Sequence, residues 1–408
     1  MLLKNRPYSI SFIVLFILSS FNFYGPLSVN IQLLNGIYYC LFFFTLIITS
    51  DLLFKRKSNS RYIGAIKVLL LCIAFSIIPA YISWNQNFID SFKSTIPYMA
   101  FILFPYLWKY KQSPGKIESV IWIITSLYIL CFIYAFIKAP TPIFGDPDFE
   151  INDERGFFRF FIMGRGFLYL SFFLAINKLK TYKNLFWILI TFILFTLIIL
   201  HVTRQFIIFT FLIGVIYLFK NISFFKKLLS ITAIYFIVSY AINNVLVFQN
   251  LLELTESQKE ENFKGEENIR ITAYKYFTTQ FSPDLFTTFF GNGSPRNAPS
   301  SPYGRFNKNI LNKQRSIYLA DVGYASIYAQ FGIVAVLAYL FIFYKALKQK
   351  VDPQFIYAKL FIIFIILANI FSEFAISREV IASICLSLYI LDLNNLNQKM
   401  AINKICDE

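Results

Sequence analysis

QNLLELTESQKEENFKGEENIRITAYKYFTTQFSPDLFTTFFGNGSPRNAPSSPYGRFNKNILNKQRSIYLA, residues 249–320, is the one long polar segment in a chain that is otherwise apolar. It carries Arg270, Lys275, Arg296, Arg305, Lys308, Lys313 and Arg315, and its middle is rich in Gly, Pro, Ser and Asn. Hydrophobic runs flank it at 228–248 and 322–344. A segment of this size, held between membrane spans on the outer face, is the natural place for a binding or catalytic surface. Everything before it reads as a membrane platform.

Composition supports that platform. Of 408 residues, 57% are hydrophobic, 20% aromatic and only 15% charged, with a mean hydropathy of +0.59. A soluble globular chain carries about 25% charged residues. Apolar stretches of roughly 20 residues recur along the whole length, each long enough to cross a bilayer as a helix. The fold class is therefore all-α and polytopic, with one membrane domain.

Twelve spans are expected, at 8–24, 31–54, 62–84, 92–108, 117–137, 160–177, 185–201, 205–220, 228–248, 321–344, 355–372 and 380–394. This divides the chain into spans one to nine (1–248), an outer loop with short helices (249–320), and spans ten to twelve with a tail (321–408). The pair 185–201 and 205–220 is separated only by His201-Val202-Thr203-Arg204-Gln205. One continuous helix there would be about 50 Å long, too long for a hydrocarbon core of about 30 Å, so a tight reversal is expected. Lys4 and Arg6 precede an apolar run with no small-residue cleavage site after it, which predicts an uncleaved first span.

The net charge of +16 permits a nucleic-acid reading, but the positions of the charges exclude it. With the N-terminus inside, the cytoplasmic connections hold 20 Lys and Arg residues against seven in the short outer ones. That bias puts both termini inside and the long loop outside. The inner clusters are mostly Lys, whereas the outer positions are mostly Arg: Arg155, Arg159, Arg165, Arg204, Arg378 and, in the long loop, Arg270. Lysine suffices to anchor a helix end; arginine is a rigid, permanently charged fork that grips phosphate through two hydrogen bonds. A single outer Arg is accounted for by snorkelling or by pairing with an acid, whereas Arg155, Arg159, Arg165, Arg204 and Arg270 together on one face point to an anion site.

Within the loop, residues 266–281 read as a helix with Arg270 in its first turn. Ser282-Pro283-Asp284 reads as a cap for a short helix ending at Gly291. Residues 291–309 read as mobile turns. Asp321, the last acid before the tenth span, has two readings: N-cap of that span, or a surface carboxylate that takes a proton from a hydroxyl. His201, the only histidine, reads as an interfacial residue or as a second candidate base. The five cysteines, Cys40, Cys72, Cys131, Cys385 and Cys406, have no metal-ligand spacing and none lies in the loop. Asp146 and Asp148 have the spacing of a metal-diphosphate motif, but the acidic run 146–154 reads more simply as a solvated connection.

The layout and several short motifs together resemble the O-antigen polymerase and O-antigen ligase superfamily. The matching elements are the Thr203-Arg204 turn between closely spaced helices, Arg270 early in the outer loop, Phe290-Gly291-Asn292-Gly293, and Tyr318-Leu319-Ala320-Asp321-Val322-Gly323-Tyr324 leading into Gln330-Phe331-Gly332-Ile333-Val334. The resemblance implies a fold like that of the C-type glycosyltransferases and a bacterial inner-membrane enzyme working at the periplasmic face without metal or other cofactor. Its substrate would be an undecaprenyl-diphosphate-linked oligosaccharide, with a chain-length regulator and a flippase as further partners. Arg204 and Arg270 would hold the diphosphate, the loop forming one wall through Arg270 and the platform the other through Arg204 with Arg159 and Arg165. Where the ligase branch has a histidine near the loop exit, this chain has Asp321, which favours polymerase over ligase. Tyr274, Tyr318 and Tyr324, with Tyr276 and Tyr303, are candidates for stacking on sugar rings. A lipid-linked oligosaccharide flippase or another transporter is the alternative from a different class, although no internal repeat of the kind transporters carry is present.

Overall fold

Apolar runs become helices because a helix satisfies every backbone polar group internally, as a lipid environment requires. A computed structural model describes residues 8–54, 59–145, 160–201, 203–220, 223 and 269–406. The expected span at 228–248, the loop up to residue 268, the acidic run 146–154, and Arg155 and Arg159 lie outside the described residues. Among the described residues the fold is all-helical, with a single isolated bridge between Pro26 and Phe144.

The platform begins with α1 (Tyr8–Ser20), α2 (Ile31–Phe54), α3 (Ile63–Phe75), α4 (Ile77–Ile82) and α5 (Phe88–Thr95). A 3-10 turn (Ile96–Ile102) then leads into α6 (Leu103–Tyr110), α7 (Pro114–Lys138), α8 (Arg165–Tyr182), α9 (Leu185–Leu200) and α10 (Arg204–Phe219). The loop contributes α11 (Ile269–Thr279), α12 (Leu285–Phe290) and α13 (Pro302–Arg305), the last running into a π-helical turn (Phe306–Gln314). The chain closes with α14 (Gly323–Lys348), α15 (Ile356–Phe371) and α16 (Ile381–Cys406). Among the described residues, five segments are long and apolar enough to cross a membrane: Ile31–Phe54, Ile63–Ile82, Pro114–Lys138, Gly323–Lys348 and Pro353–Phe371. The protein is membrane-embedded.

Many side chains on these helices are large, apolar and exposed, among them Ile47 at 72% and Phe192 at 69%, as a lipid-facing surface requires. The tight reversal expected at 201–205 is present: His201 ends α9 and Arg204 begins α10. Two other runs are broken. The 62–84 run bends at Ser76 between α3 and α4, and the 92–108 run passes through the 3-10 turn that contains Pro97. A proline lacks the N–H that a helix interior needs, which accounts for the second break.

Polar connections at opposite ends of the helices form two separate sets of contacts. At one end Lys109 pairs with Asp51 at 2.8 Å, Lys178 pairs with Glu118 at 2.7 Å, and Asp392 accepts from the backbone N–H of Arg61 at 3.0 Å. At the other end the loop folds onto the platform.

The expected mobile turns of 291–309 are instead a folded wedge. Asn292, Ser301 and Tyr303 are fully buried. Trp84 of the platform stacks on Tyr303 (ring centroids 4.6 Å) and Phe281 (5.3 Å), and the Tyr303 hydroxyl donates to the Gly293 carbonyl at 3.1 Å. These rings therefore build a small loop core with Phe277, Leu311 and Val322, and Tyr303 has no face left for a sugar. The cap of α12 is Asp284, two residues later than expected. Its carboxylate accepts the Thr287 N–H at 2.7 Å, and Thr287 reciprocates to the Asp284 N–H at 3.2 Å. That reciprocal pair satisfies two helix-end donors at once, which a serine at 282 is too far away to do.

The wedge enters a break in α14. Gly332 has φ +80° and ψ 173° in the middle of that helix, so the carbonyls just before it lose their helical donors. The loop replaces those donors: Asn292 N–H donates to the Ala329 carbonyl and Gly293 N–H to the Gln330 carbonyl, each at 2.8 Å. The two short sequence motifs around Gly291 and Gly332 are thus the two halves of one backbone contact. Irregular backbone at membrane depth is tolerated only where protein or water satisfies it, and here protein does.

Candidate functional site

The end of the bundle that carries the wedge also carries most of the predicted site residues. Asp321 closes a 3-10 turn (Leu319–Asp321) at the loop exit. It does not cap α14; the residue at that cap is Val322, which makes no side-chain bond. Burial pushes the Asp321 carboxyl above the usual carboxylate range, and the Arg270 guanidinium opposes that shift. Residues 51 positions apart in sequence, Arg270 in the first turn of α11 and Asp321 at the loop exit, are therefore electrostatic neighbours.

A third charged group joins them from the short connection 372–380. Backbone N–H of Glu373 donates to the Ala320 carbonyl at 3.0 Å, which ties this connection to the loop exit. The Glu373 carboxylate accepts from the Ser326 hydroxyl at 2.9 Å and the Gln330 amide at 3.4 Å. Desolvation raises its pKa most, the two hydrogen bonds lower it, and nearby Asp321 raises it again. A carboxyl held this way is costly to ionise. Because its folded pKa lies above its unfolded value, its contribution to stability is intact below the ordinary glutamate range and declines as pH rises through the raised value. Glu373→Gln keeps the hydrogen-bond acceptor and removes the charge. Thermal midpoints of detergent-solubilised protein, measured from about pH 5 to pH 8, are expected to fall with pH more steeply in the wild type than in the variant. At the alkaline end the variant should equal or exceed the wild type; a lower midpoint there would mean that ionised Glu373 has a compensating partner.

The predicted sugar-stacking tyrosines divide into two kinds. Tyr274 donates its hydroxyl to the Ile370 carbonyl, and Tyr324 donates to the Ile366 carbonyl at 3.2 Å. Both clamp the loop and α14 onto the end of α15, and the Ile370 carbonyl is one that the helix C-terminus leaves open. Tyr318 is 41% exposed at the loop exit and keeps an open ring face.

A second neighbourhood surrounds the start of α8. Arg165 forms an ion pair with Glu379 through Nη2 and, at 2.8 Å, through Nε; the other carboxylate oxygen accepts the Gly164 N–H at 3.0 Å and the Arg165 N–H at 3.3 Å. The Arg165 charge is thereby neutralised within the protein. His201 is fully buried and hydrogen-bonds Tyr128 through Nε2, with Phe132 against its ring at 5.7 Å. It is packed into this second neighbourhood, since Tyr128 in turn lies within electrostatic reach of Arg165 and Glu379. Asp321 answers to Arg270 and Glu373 instead, so the two candidate bases belong to different clusters. Arg204 begins α10, two residues before Phe206, whose ring packs at 4.6 Å on Phe374 of the 372–380 connection. Arg159 lies outside the described residues.

Glu373, Arg378 and Glu379 were not among the sequence candidates. Their signal was present: two acids and an arginine concentrated in a connection of a few residues between apolar helices. Ionisable groups at such a position are costly and mark sites. Comparison with known proteins adds nothing to this geometry: no protein-family model and no curated protein matches the chain.

Proposed function

We propose that the protein is a polymerase of surface-polysaccharide repeat units, such as those of O-antigen or capsule, working at the outer face of the bacterial inner membrane. It would transfer a growing glycan from polyprenyl diphosphate to a sugar hydroxyl of a lipid-linked repeat unit. The observation that carries this reading is the placing of Arg270, in the first turn of α11, within electrostatic reach of Asp321, a half-buried carboxyl at the loop exit where the loop meets the membrane helices. In the transfer, the acceptor oxygen bonds to the anomeric carbon as that carbon's bond to the diphosphate breaks. The acceptor proton passes to Asp321, and the leaving diphosphate gains negative charge, which Arg270 and Arg204 stabilise. Preorganised cations act most strongly where charge develops. A base whose pKa is raised toward the working pH is better matched to a hydroxyl proton than an ordinary aspartate.

The test is deletion in the native host followed by a gel of the surface polysaccharide. Loss of a polymerase leaves single repeat units on the final acceptor. Loss of a ligase leaves long chains on the lipid carrier, and loss of a flippase traps units inside. Arg204→Lys keeps the charge and removes the fork. It is expected to abolish the ladder of long chains while the protein still inserts, as judged by immunoblot of the membrane fraction; a normal ladder removes Arg204 from the diphosphate site.

A further inference from the structure

Beyond the break at Gly332, a groove runs along the outside of α14 toward the end of the bundle opposite the wedge. α3 packs along α14, yet small residues leave space beside the seam. Gly64 and Val68 of α3, with Val334, Ala338, Phe341 and Lys345 of α14, bound a cavity of about 540 Å³. That lies within the roughly 300–1,000 Å³ of sites that hold small molecules. A Cβ added at Gly64 would meet nothing within 4 Å, so this position is itself part of the open space. Val68 is 41% exposed and Phe341 49%, so the groove opens on the side of the bundle, where lipid lies.

The α14 residues follow one another at intervals of four, three and four, the spacing that keeps side chains on one helix face. At 1.5 Å per residue, the path from Val334 to Lys345 is about 16 Å long. A bilayer hydrocarbon core is about 30 Å thick, so one leaflet contributes about 15 Å. The groove therefore has the length of one leaflet, apolar along its course and cationic at its end. Lysine has a flexible stem, but here the ammonium is held in place. It donates to the Arg61 carbonyl at 2.9 Å and lies 4.2 Å from the centre of the Phe341 ring. The Arg61 guanidinium and the Asp392 carboxylate are both within electrostatic reach of it. Asp392 also accepts the Ser60 hydroxyl and the Arg61 N–H, which ties it to the turn before α3.

We infer that this groove is a binding site for an anionic phospholipid, with an acyl chain along Gly64, Val334 and Ala338 and the phosphate at Lys345. The order of the walls is the order of the ligand: hydrocarbon first, then a negative headgroup. Of the three donors on the ammonium, the Arg61 carbonyl takes one, and phosphate oxygens suit the others. Lys345, Arg61 and the exposed Lys348 lie at the end that the Lys and Arg bias assigns to the inside, and such a basic rim favours an anionic over a zwitterionic headgroup. The groove is at the other end of the bundle from Arg270 and Asp321, and it stands whether or not the protein is a polymerase.

The experiment uses the full chain, delipidated in mild detergent. The probes are dioleoyl phosphatidylglycerol, dioleoyl phosphatidylcholine and glycerol 3-phosphate. Native mass spectrometry reads the lipid retained, and the thermal midpoint reads the stabilisation that selective binding to the folded state brings. Wild-type protein is expected to hold one phosphatidylglycerol at least about tenfold more tightly than phosphatidylcholine. Gly64→Leu puts a side chain into the open groove. It should lose that binding by about tenfold or more while keeping the wild-type midpoint without lipid. Lys345→Gln should lower phosphatidylglycerol to the affinity of phosphatidylcholine. Lys345→Arg keeps the charge and should keep the preference, which gives a folded comparison should the glutamine variant not insert. Unchanged phosphatidylglycerol binding in Gly64→Leu overturns the assignment, as does equal affinity of the wild type for the two lipids. Displacement of the lipid by an equal concentration of glycerol 3-phosphate would make this a phosphate site rather than a lipid groove. A dimer that Gly64→Leu dissociates would make a second copy the occupant, and that too overturns it.

Discussion

Gly332→Ala is expected to remove most of the folded protein from the membrane. At φ +80° and ψ 173°, Gly332 occupies a region of backbone space that side-chain-bearing residues avoid at a cost of about 1–3 kcal/mol. A Cβ there would sit 2.0 Å from the Phe289 carbonyl oxygen, 2.4 Å from its carbon and 2.6 Å from the Gly291 nitrogen. All three are backbone atoms, so no side chain can rotate out of the way. Relief requires the wedge to withdraw, which strips the Ala329 and Gln330 carbonyls of the donors from Asn292 and Gly293. Each buried acceptor left unpaired costs a further ~1–3 kcal/mol. The sum is a large part of a typical total stability of about 5–15 kcal/mol. Fluorescence-detected size exclusion of a tagged protein should show the monodisperse peak collapse, with a lowered thermal midpoint in whatever remains. Gly36→Ala is the matched control: a Cβ there meets nothing within 4 Å, and α2 should tolerate it or gain slightly. A Gly332→Ala protein with the wild-type midpoint would mean that the loop does not enter the helix at this point.

The wedge also shows where a linear sequence stops being informative. Hydropathy averages composition over a window, and it located α2 and the α9–α10 reversal because those runs are continuous and their ends are polar. It treats Ser76 and Gly332 as ordinary members of apolar runs, since a break in the backbone path leaves composition unchanged. The donors that satisfy the break at Gly332 come from Asn292 and Gly293, 37 positions before the carbonyls they reach. The Asp284 cap was readable locally, as an acid three residues before a hydroxyl, but the adjacent Pro283 drew attention to Ser282 instead. The site was half legible for a related reason. Arg270 and Asp321 stood out as lone charges at the ends of a polar segment. Glu373, Arg378 and Glu379 merge into one short connection, in which the sequence pattern marks Arg378 only as an outer-face charge. Neither the ion pair that neutralises Arg165 nor the hydrogen bond from Arg378 to Asn35 has a signature in sequence spacing, because the partners lie 214 and 343 positions apart.

If the protein is the polymerase proposed above, Arg270→Gln is expected to reduce glycan lengthening by about 100- to 1,000-fold, the usual effect of removing one preorganised electrostatic contact from a transition state. Its companion Arg270→Lys separates two roles. Lysine keeps the charge that opposes the upward shift of Asp321 but loses the planar fork for the diphosphate. If Asp321 is the base, activity requires its carboxylate and declines as pH falls through its raised pKa. Removing the Arg270 charge raises that pKa further, so the acid limb of the rate profile should move to higher pH in Arg270→Gln and stay in place in Arg270→Lys. Both variants should lose rate, because the leaving diphosphate has lost its fork in each. Asp321→Asn should abolish the limb along with most of the activity. The measurement is chain lengthening by purified protein with a synthetic lipid-linked repeat unit, followed across pH. An acid limb that is unmoved in Arg270→Gln, or one that survives in Asp321→Asn, would transfer the proton to another group. Glu373 is then the first to examine, since it is the carboxyl that shares Asp321's surroundings.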